Sequence, residues 1–363
     1  MKKDFSNGMN ILAIETSCDE TAVALVLARK NSFEVIGDFV SSQIKVHAPF
    51  GGVVPNLAAR EHLKNLPLLL KKLIKKHAIS SKNIDLIAVT QGPGLIPALL
   101  IGTNCAKALA YTWKKPLIGV HHIAGHIYAN FVGENSKPKF PILALIVSGG
   151  HTQLILMKKH MDFKIVGETL DDAAGEAFDK VARILNLGYP GGPIVSEIAD
   201  EHKKNTSCKI LGTKYQLPRP MMNSNNLNFS FSGLKTAVLY VVRDNLQILK
   251  RKKSKAALCA EFQQAVIDVL IGKTIKAAKK YNPKTILLGG GVSANRALRT
   301  QLGEAIKKSF PNTKYHLPNT RYSLDNATMI AVAGYFQHKS AKNQKKFLNN
   351  WKNLEADAGL KLK

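Results

Sequence analysis

Two histidines with helical spacing are the residues of this chain that most directly suggest chemistry. His122 and His126 lie four positions apart in the segment His121-His122-Ile123-Ala124-Gly125-His126. On a helix their imidazoles project from one face and can share a metal ion. Two imidazoles completed by one carboxylate, with open coordination positions, suit Fe²⁺ or Zn²⁺. The neighbouring sequence identifies no such carboxylate, and Ile123 stands where an HExxH metalloprotease needs its glutamate.

Two glycine-rich turns are candidates for binding a nucleotide. Ser148-Gly149-Gly150 and Gly289-Gly290-Gly291 each follow an apolar run, and the second continues through Val292 to Asn295. A strand that ends in consecutive glycines lets phosphates approach its backbone N–H groups, because no Cβ blocks the way and a positive φ costs little. Facing one cleft, the two turns would form the walls of a nucleotide site between two lobes.

An acidic helix start follows the first of these turns. Asp172, Glu176 and Asp179 have spacings of four and three, so they line one side of a helix. Charge at a helix N-terminus complements the helix dipole, which is a sufficient explanation for Asp172. Asp179 lies too far into the helix for that explanation. Binding of a ligand hydroxyl is therefore a competing interpretation for Asp179. The turn Tyr189-Pro190-Gly191-Gly192-Pro193 then allows close backbone approach to a ligand.

The strands and helices that must position these residues occur in the same order in the two halves of the chain. Apolar runs predict strands at 10–15, 21–28 and 32–40, then an amphipathic helix at 56–76, a strand at 85–90 and a helix ending near 113. Strands at 141–147, 152–157 and 163–168, followed by helices from Ala173 and strands at 285–288 and 314–317, repeat that order. The sequence therefore predicts two related α/β lobes.

The predicted lobes divide near residues 134–139, where polar residues and Pro138 cluster. We assign residues 1–136 to a first lobe that carries the histidine pair, 137–338 to a second lobe with the glycine turns, and 339–363 to a Lys-rich tail that we expect to be partly frayed. A helix starting at Asp325, a candidate N-cap, ends the second lobe and is a candidate to pack back on the first.

The charge of the chain favours a polyanionic partner. The formal net charge is +27, from 52 Lys and Arg against 25 Asp and Glu, which promotes nucleic-acid binding through counterion release. A Lys-rich composition that reflects genomic base bias is an equally good explanation of the charge alone. Because no apolar run is long enough for a membrane span, we expect a cytoplasmic protein that does not enter a membrane.

Several motifs, taken together and in order, resemble those of the TsaD/Gcp family, the tRNA adenosine threonylcarbamoyltransferases. The residues that carry the resemblance are the segments Asn10–Thr21, Gly51–Pro55, His122–His126, Val147–Gln153, Asp171–Lys180, Phe229–Lys235 and Gly289–Asn295. The resemblance implies the two-lobed fold of actin, Hsp70 and the sugar kinases, with duplicated ribonuclease-H-like lobes and a nucleotide cleft between them. This agrees with the α/β organisation inferred above.

The resemblance also implies site residues. His122, His126 and Asp325 would hold one divalent metal per subunit, with Fe²⁺ favoured over Zn²⁺. The residues implied to hold the substrate are Ile146, Val147, Ser148, Gly149 and Gly150 toward its phosphate, and Asp179, Gly192 and Asn295 toward its ribose and base. No general base is evident, although His151, Glu15 and Asp19 are candidates by residue type.

The implied reaction transfers the threonylcarbamoyl group of threonylcarbamoyl-AMP to the adenosine beside the anticodon in tRNAs that read codons beginning with A. The implied partners are tRNA, a paralogous TsaB-type subunit and a small TsaE-type P-loop ATPase. Three other functions remain open from the residues: a nucleotide-hydrolysing or sugar-phosphorylating enzyme of the same fold, a metalloprotease, and a non-catalytic scaffold that binds nucleotide and RNA.

Overall fold

A computed structural model describes residues 8–30, 32–133, 138–205 and 215–362. Besides the longer elements given below, short 3-10 helices occur at Ala48–Phe50, Ser81–Asn83, Ala129–Phe131, Gly291–Ala294, Thr320–Tyr322 and Gln344–Lys352. The expected lobe boundary between residues 136 and 137 falls within 134–137 and so lies outside the described residues. No helix in the described part of the chain is long and apolar enough to cross a membrane.

The first lobe is built on a five-stranded sheet with strand order β3-β2-β1-β4-β5. Its elements are β1 (Met9–Glu15), β2 (Glu20–Arg29), β3 (Ser32–Ser42), α1 (Ile44–His47), α2 (Pro55–His77), β4 (Leu86–Gly92), α3 (Ile96–Trp113), β5 (Leu117–His121) and α4 (His122–Tyr128). Strands β1, β2 and β3 pair antiparallel, whereas β4 and β5 run parallel to β1. The predicted meander and the strand-helix alternation after it are confirmed.

The second lobe repeats this arrangement with strand order β10-β9-β6-β7-β8. Its elements are β6 (Ile142–Val147), β7 (Thr152–Met157), β8 (Phe163–Glu168), α5 (Ala174–Ile184), α6 (Gly191–Asn205), α7 (Ser232–Asp244), α8 (Gln247–Lys250), α9 (Lys252–Tyr281), β9 (Thr285–Gly289), α10 (Arg296–Ser309) and β10 (Lys314–His316). The last helix, α11 (Ala327–Ser340), follows the second lobe in sequence but packs on the sheet of the first lobe. Again three antiparallel strands are followed by two parallel ones. The two related α/β lobes predicted from the sequence are confirmed.

Both faces of each sheet are buried, and this decides where the site elements lie. On β1, Ile11 and Ala13 face one apolar cluster, while Leu12 and Ile14 face another formed with α2 and α3, as expected for side chains that alternate along a strand. The first of these clusters also contains α4, α11 and residues of β6, such as Ile146. It therefore joins the two lobes, and α4 and α11 lie where they meet.

The C-terminal tail is ordered along the edge of the first sheet, contrary to the expected fraying. Phe347 and Leu354 are buried, the Asn350 side chain donates a hydrogen bond to the carbonyl of Leu117 at 3.0 Å, and the amide of Asp357 donates to the carbonyl of Gln91 at 2.9 Å. Apolar residues interspersed among the lysines anchor the segment. The tail thus covers the edge strand β5, which would otherwise expose unpaired backbone groups.

Candidate metal centre and nucleotide cleft

Both histidines of the predicted pair lie on one short helix that follows the edge strand β5. Strand β5 runs directly into α4, and His122 and His126 occupy its first and fifth positions. Their side chains are buried, with ring centroids 4.6 Å apart. The spacing therefore places two imidazoles side by side, as the helical interpretation of the sequence requires.

Asp325 brings a carboxylate to this pair from the far end of the chain. Its Oδ1 atom lies 3.2 Å from Nε2 of His126 and 3.5 Å from Nε2 of His122. The donor atoms of the three residues all lie within 4.8 Å of one another. This is the geometry of a mixed imidazole and carboxylate ligand set, which suits a divalent metal.

Asp325 is available for this role because it does not cap a helix. The N-cap of α11 is Asn326, whose side-chain oxygen accepts a hydrogen bond from the amide of Met329 at 2.9 Å. The interpretation of Asp325 as the N-cap is therefore wrong by one residue. Since the neighbouring amide side chain satisfies the helix terminus, the carboxylate of Asp325 faces the histidines instead.

The ring of His126 gives an independent reason to place a cation here. Both of its nitrogens are buried, and neither has a hydrogen-bond partner of good geometry among the described residues. Unsatisfied buried polar atoms are costly. A metal ion bound at Nε2 would satisfy that nitrogen, so the residues present fit the metal that their chemistry suggests.

Glu15 orients His122 from the side opposite Asp325. The Oε2 atom of Glu15 lies 3.1 Å from Nδ1 of His122 and accepts a hydrogen bond from the Thr90 hydroxyl at 2.6 Å. Its other oxygen accepts from the amide of Ser17 at 2.5 Å, and Glu15 is fully buried. A carboxylate that holds the outer nitrogen of a histidine fixes its tautomer and leaves Nε2 free for a metal. These contacts favour a positioning role for Glu15 over the general-base role.

Within the cluster, the carboxylates favour the protonated form of His122, and the histidines favour the ionised form of Asp325. Burial opposes protonation of His122, but the carboxylates of Asp325 and Glu15 prevail and raise its pKa to about 9. Burial likewise disfavours ionised Asp325, yet His122 and His126 lower its pKa to about 2. The metal-free cluster therefore keeps a proton where a cation would otherwise bind, so metal binding is coupled to proton release.

The two glycine turns adjoin each other and the metal cluster. A Cβ built on Gly289 would stand 2.9 Å from the carbonyl oxygen of His126, and one on Gly290 would collide with the carbonyl oxygen of Val147. Gly290 also has a φ of +86°. These positions need glycine because the backbones approach so closely. The second turn thus lies between the first turn and α4.

The first turn borders open space. Apart from the glycine itself and its two chain neighbours, no heavy atom of the described residues lies within 4 Å of a Cβ built on Gly149 or Gly150. The turn is held from behind, since the amide of Ser148 donates to the carbonyl of His151 at 2.8 Å and the amide of Gly175 on α5 donates to the carbonyl of Ser148 at 3.2 Å. Ile146 and Val147 end the buried strand β6 that leads into it. Exposed glycines on a fixed loop leave room for a ligand.

Asp179 and Gly192 lie at the junction of α5 and α6. Asp179 accepts a hydrogen bond from the amide of Gly191 at 2.7 Å. Burial raises the pKa of Asp179; hydrogen bonds from Gly191 and Gly192 oppose this rise, and the charge of Asp19 adds to it. Asp19 belongs to the first lobe, so a charge of one lobe acts on a carboxyl group of the other.

The side chain of Asn295 is largely occupied within the second lobe. Its amide nitrogen donates to the hydroxyl of Ser196 and to the side chain of Gln263, both at 2.8 Å. Its oxygen accepts from the amide of Leu298 at 2.9 Å and so caps α10. Asn295 therefore ties α6, α9 and α10 together behind the glycine turn.

Two contributions to the site escaped sequence reasoning. His121, next to the predicted ligands, caps α4 with its ring. Arg183 of α5 donates a hydrogen bond to the carbonyl of Gly51 in the first lobe at 2.5 Å and so links the lobes. Gly51 has a φ of +67°, and the glycine pair at 51–52 was the sequence signal that could have pointed to a special backbone there.

Fold and site define a two-lobed α/β protein with a candidate metal cluster beside two glycine turns, the first of which borders open space. A family model described as "TsaD: tRNA N6-adenosine threonylcarbamoyltransferase" matches residues 34–332. The chain belongs to this family of acyltransferases.

Curated relatives carry the same description. A tRNA N6-adenosine threonylcarbamoyltransferase of Thermosipho africanus (strain TCF52B) is 48% identical over 355 residues, which cover 98% of this chain and 100% of that protein. Another, from Bacillus subtilis (strain 168), is 49% identical over 329 residues, covering 90% of each chain.

Among solved structures, HypF of T. kodakarensis is similar in fold, with a TM-score of 0.61 at 12% identity. The match covers 94% of this chain and 50% of that one, so the chain spans about half the length of HypF. At this identity the likeness concerns the fold alone, and it agrees with the two-lobed architecture.

Proposed function

We propose that the chain transfers the threonylcarbamoyl group from threonylcarbamoyl-AMP to the exocyclic amine of the adenosine beside the anticodon, in tRNAs that read codons beginning with A. Family membership supports the reaction class. The observation that carries the proposal is the convergence of His122, His126 and Asp325 next to two adjoining glycine turns. An activated acyl group and its adenylate leaving group can thus be held side by side.

The reaction needs positioning more than activation, because threonylcarbamoyl-AMP is a mixed anhydride. The adenosine amine forms a new N–C bond to the carbamoyl carbon and loses a proton. The bond from that carbon to the phosphate oxygen breaks, and AMP departs with the electron pair. Holding the two reactants in line and stabilising charge on the carbonyl oxygen are therefore the main tasks of the protein.

The residues of the cleft divide these tasks. Gly149 and Gly150 bind the phosphate side through backbone N–H groups, and Ile146, Val147 and Ser148 lead into and line that turn. Asp179, Gly192 and Asn295 lie toward the ribose and base. His122, His126 and Asp325 would hold a divalent metal, Fe²⁺ in preference to Zn²⁺, which would supply Lewis-acid polarisation of the carbonyl group. Glu15 keeps the ring of His122 turned toward that position.

The same proposal names partners and a location. The net charge of +27 suits tRNA, which is a polyanion. A paralogous TsaB-type subunit and a TsaE-type P-loop ATPase are the proposed protein partners. Because tRNA is the proposed acceptor, the cytoplasm is the proposed place of the reaction.

Loss of one ligand tests the proposal. His122→Ala should lose the bound metal, measured by elemental analysis, and should lower the transfer rate by about two orders of magnitude or more, as removal of a catalytic electrophile does. His316→Ala, on strand β10 of the second lobe, is the matched control and should retain both. The assay follows threonylcarbamoyl-AMP consumption and tRNA modification.

Two outcomes would contradict the proposal in different ways. Full transfer activity in metal-depleted His122→Ala protein would remove the metal from the reaction. Hydrolysis of ATP by the wild-type protein, with no consumption of threonylcarbamoyl-AMP in the presence of tRNA and the partner subunits, would instead support a nucleotide-hydrolysing enzyme of the same fold.

A further inference from the structure

His121 makes two hydrogen bonds whose partners lie in very different parts of the chain. Its Nδ1 atom accepts from the amide of Ile123 at 3.1 Å, and its Nε2 atom lies 3.0 Å from the carbonyl oxygen of Leu360. Since an amide N–H must meet an acceptor, Nδ1 carries no proton. Nε2 is then the protonated nitrogen and donates to Leu360. The ring is thus neutral and is held at both ends.

The first of these bonds caps the helix that carries the candidate metal ligands. His121 is the N-cap of α4, a helix of seven residues. A helix this short has little stability of its own, because its first amides lack partners within the helix. The cap therefore contributes directly to the position of His122, the first residue of α4, and of His126 one turn later.

The second bond attaches this cap to the C-terminal tail. The tail is fixed next to His121, because the amide of Asp357 donates to the carbonyl of Gln91, and the amide of Leu360 donates to the carbonyl of Asp357 at 3.3 Å. At Gly92, which pairs with His121 across strands β4 and β5, a Cβ would collide with the carbonyl oxygen of Asp357. The tail backbone is thus closely fitted to this end of the sheet.

We propose that His121 and the carbonyl of Leu360 form a link through which the C-terminal tail holds α4, and with it His122 and His126, in the metal-binding arrangement. His121 is a positioning residue in this proposal. It touches neither metal nor substrate and acts by fixing the helix that presents the ligands. The inference rests on the proposed metal site. The part of it that concerns the position of α4 can be tested in protein without metal.

The two ring nitrogens of His121 can be tested separately in the full-length chain. His121→Asn places an acceptor where Nδ1 lies, so it keeps the cap, but it is too short to reach Leu360. His121→Gln reaches toward Leu360 with an amide N–H but lacks the capping acceptor. A third variant ends at residue 359, so it lacks Leu360 but keeps the hydrogen bond from the amide of Asp357 to Gln91. Two measurements apply to each: the dissociation constant of Zn²⁺ by chelator competition, and hydrogen exchange of the α4 amides in metal-free protein.

Removal of either end of the link should have the same effect. His121→Asn, His121→Gln and the shortened chain should each weaken Zn²⁺ binding by about tenfold, the usual cost of losing support behind a metal ligand. The α4 amides should exchange faster in each metal-free variant, while those of β6 keep the wild-type rate. Combining His121→Asn with the shortened chain should add little to either single change, since both break one link.

Lys361→Ala is the matched control, because it changes an exposed tail residue and leaves the backbone of Leu360 in place. It should bind Zn²⁺ as the wild type does. The proposal is overturned if His121→Asn keeps wild-type Zn²⁺ affinity and α4 exchange, or if its effect and that of shortening the chain multiply. These readouts do not involve transfer activity, so a failure here is distinguishable from failure of the proposed reaction.

Discussion

At the scale of single residues, the candidate metal centre depends on Glu15, which contacts the ligand His122 on the side away from the metal position. Glu15 uses both oxygens, accepting hydrogen bonds from Thr90 and Ser17 while its Oε2 atom faces Nδ1 of His122. This carboxylate is therefore already engaged and buried before any substrate binds. A buried carboxylate behind a histidine makes the ring a better and more rigid ligand.

Substitution of Glu15 should consequently weaken metal binding rather than remove a catalytic base. Glu15→Ala should raise the dissociation constant of Zn²⁺ by about tenfold or more, because the ring of His122 can then rotate and Thr90 is left without its buried partner. Glu15→Gln should have a smaller effect, since one oxygen still serves His122 while the amide N–H₂ group faces the Ser17 amide unfavourably. Chelator competition measures both variants.

Glu34→Gln provides the comparison for Glu15. Glu34 forms a half-exposed ion pair with Arg29 at 2.7 Å on the first lobe, and exposed pairs contribute little. Metal affinity should therefore be unchanged in Glu34→Gln. Unaltered Zn²⁺ affinity in Glu15→Ala, together with lost transfer activity, would return Glu15 to the list of general-base candidates.

At the scale of elements, the start of α7 is held by a residue from another segment. Asp171 accepts hydrogen bonds from the hydroxyls of Ser230 and Ser232 at 2.5 Å and 2.6 Å, and from the amide of Phe231 at 2.8 Å. It thus acts as an N-terminal cap that is supplied from a distance. Burial acts against ionisation, but the hydrogen bonds from Ser230 and Ser232 prevail and lower the pKa of Asp171.

Asp171→Ala should destabilise the protein by about 1 kcal/mol, the usual contribution of a helix cap. Because the folded-state pKa of Asp171 is lowered, its contribution is present above the unfolded-state pKa and is lost as the pH falls through the folded value. The difference in unfolding free energy between wild type and variant should therefore be constant near pH 7 and shrink below about pH 4. Urea unfolding at several pH values measures this.

Asp244→Ala, at the other end of α7, is the control for Asp171. Asp244 pairs with its exposed neighbour Arg243 at 3.0 Å, and a negative charge at a helix C-terminus is unfavourable. Its removal should leave stability unchanged or slightly increased. A destabilisation by Asp171→Ala that persists undiminished at low pH would show that packing, and not the ionised cap, is responsible.

Elements and site were not equally predictable from the sequence. Hydrophobic periodicity is local, so the strands of both lobes and helix α11 were predicted within a few residues. The histidine pair was also local. The approach of Asp325 to it came only from a family resemblance, and the contact between Glu15 and His122 joins residues that no local pattern relates. The tail was misjudged because its lysines hide the anchors Phe347 and Leu354.

At the scale of the whole molecule, the lobes are joined on one side by a shared core and across the cleft by a polar contact. The core contains residues of β1, β6, α4 and α11. The contact is the hydrogen bond from Arg183 to the carbonyl of Gly51. Since Arg183 is exposed, this contact can form and break while the core stays intact, as expected of lobes that close over a ligand.

Arg183→Ala should therefore weaken substrate binding without unfolding either lobe. A hydrogen bond from a charged donor contributes about 1.5–3 kcal/mol when buried, and exposure reduces this, so we expect the KM for threonylcarbamoyl-AMP to rise by about threefold to tenfold. Lys180→Ala, whose partners Asp172 and Glu176 belong to the same lobe, should leave the KM unchanged. Equal KM values for wild type and Arg183→Ala would mean that the contact does not assist closure.

The position of α11 also has a consequence for biosynthesis. Strands β1 and β2 bury Ile11, Ala13 and Ala24 against this helix, yet the ribosome makes the entire second lobe before α11 emerges. One apolar face of the first sheet therefore stays uncovered until translation is almost complete. Exposed apolar surface of this kind makes a nascent chain prone to aggregation. A polypeptide that stops before α11 would lack the helix that covers this face of the first sheet.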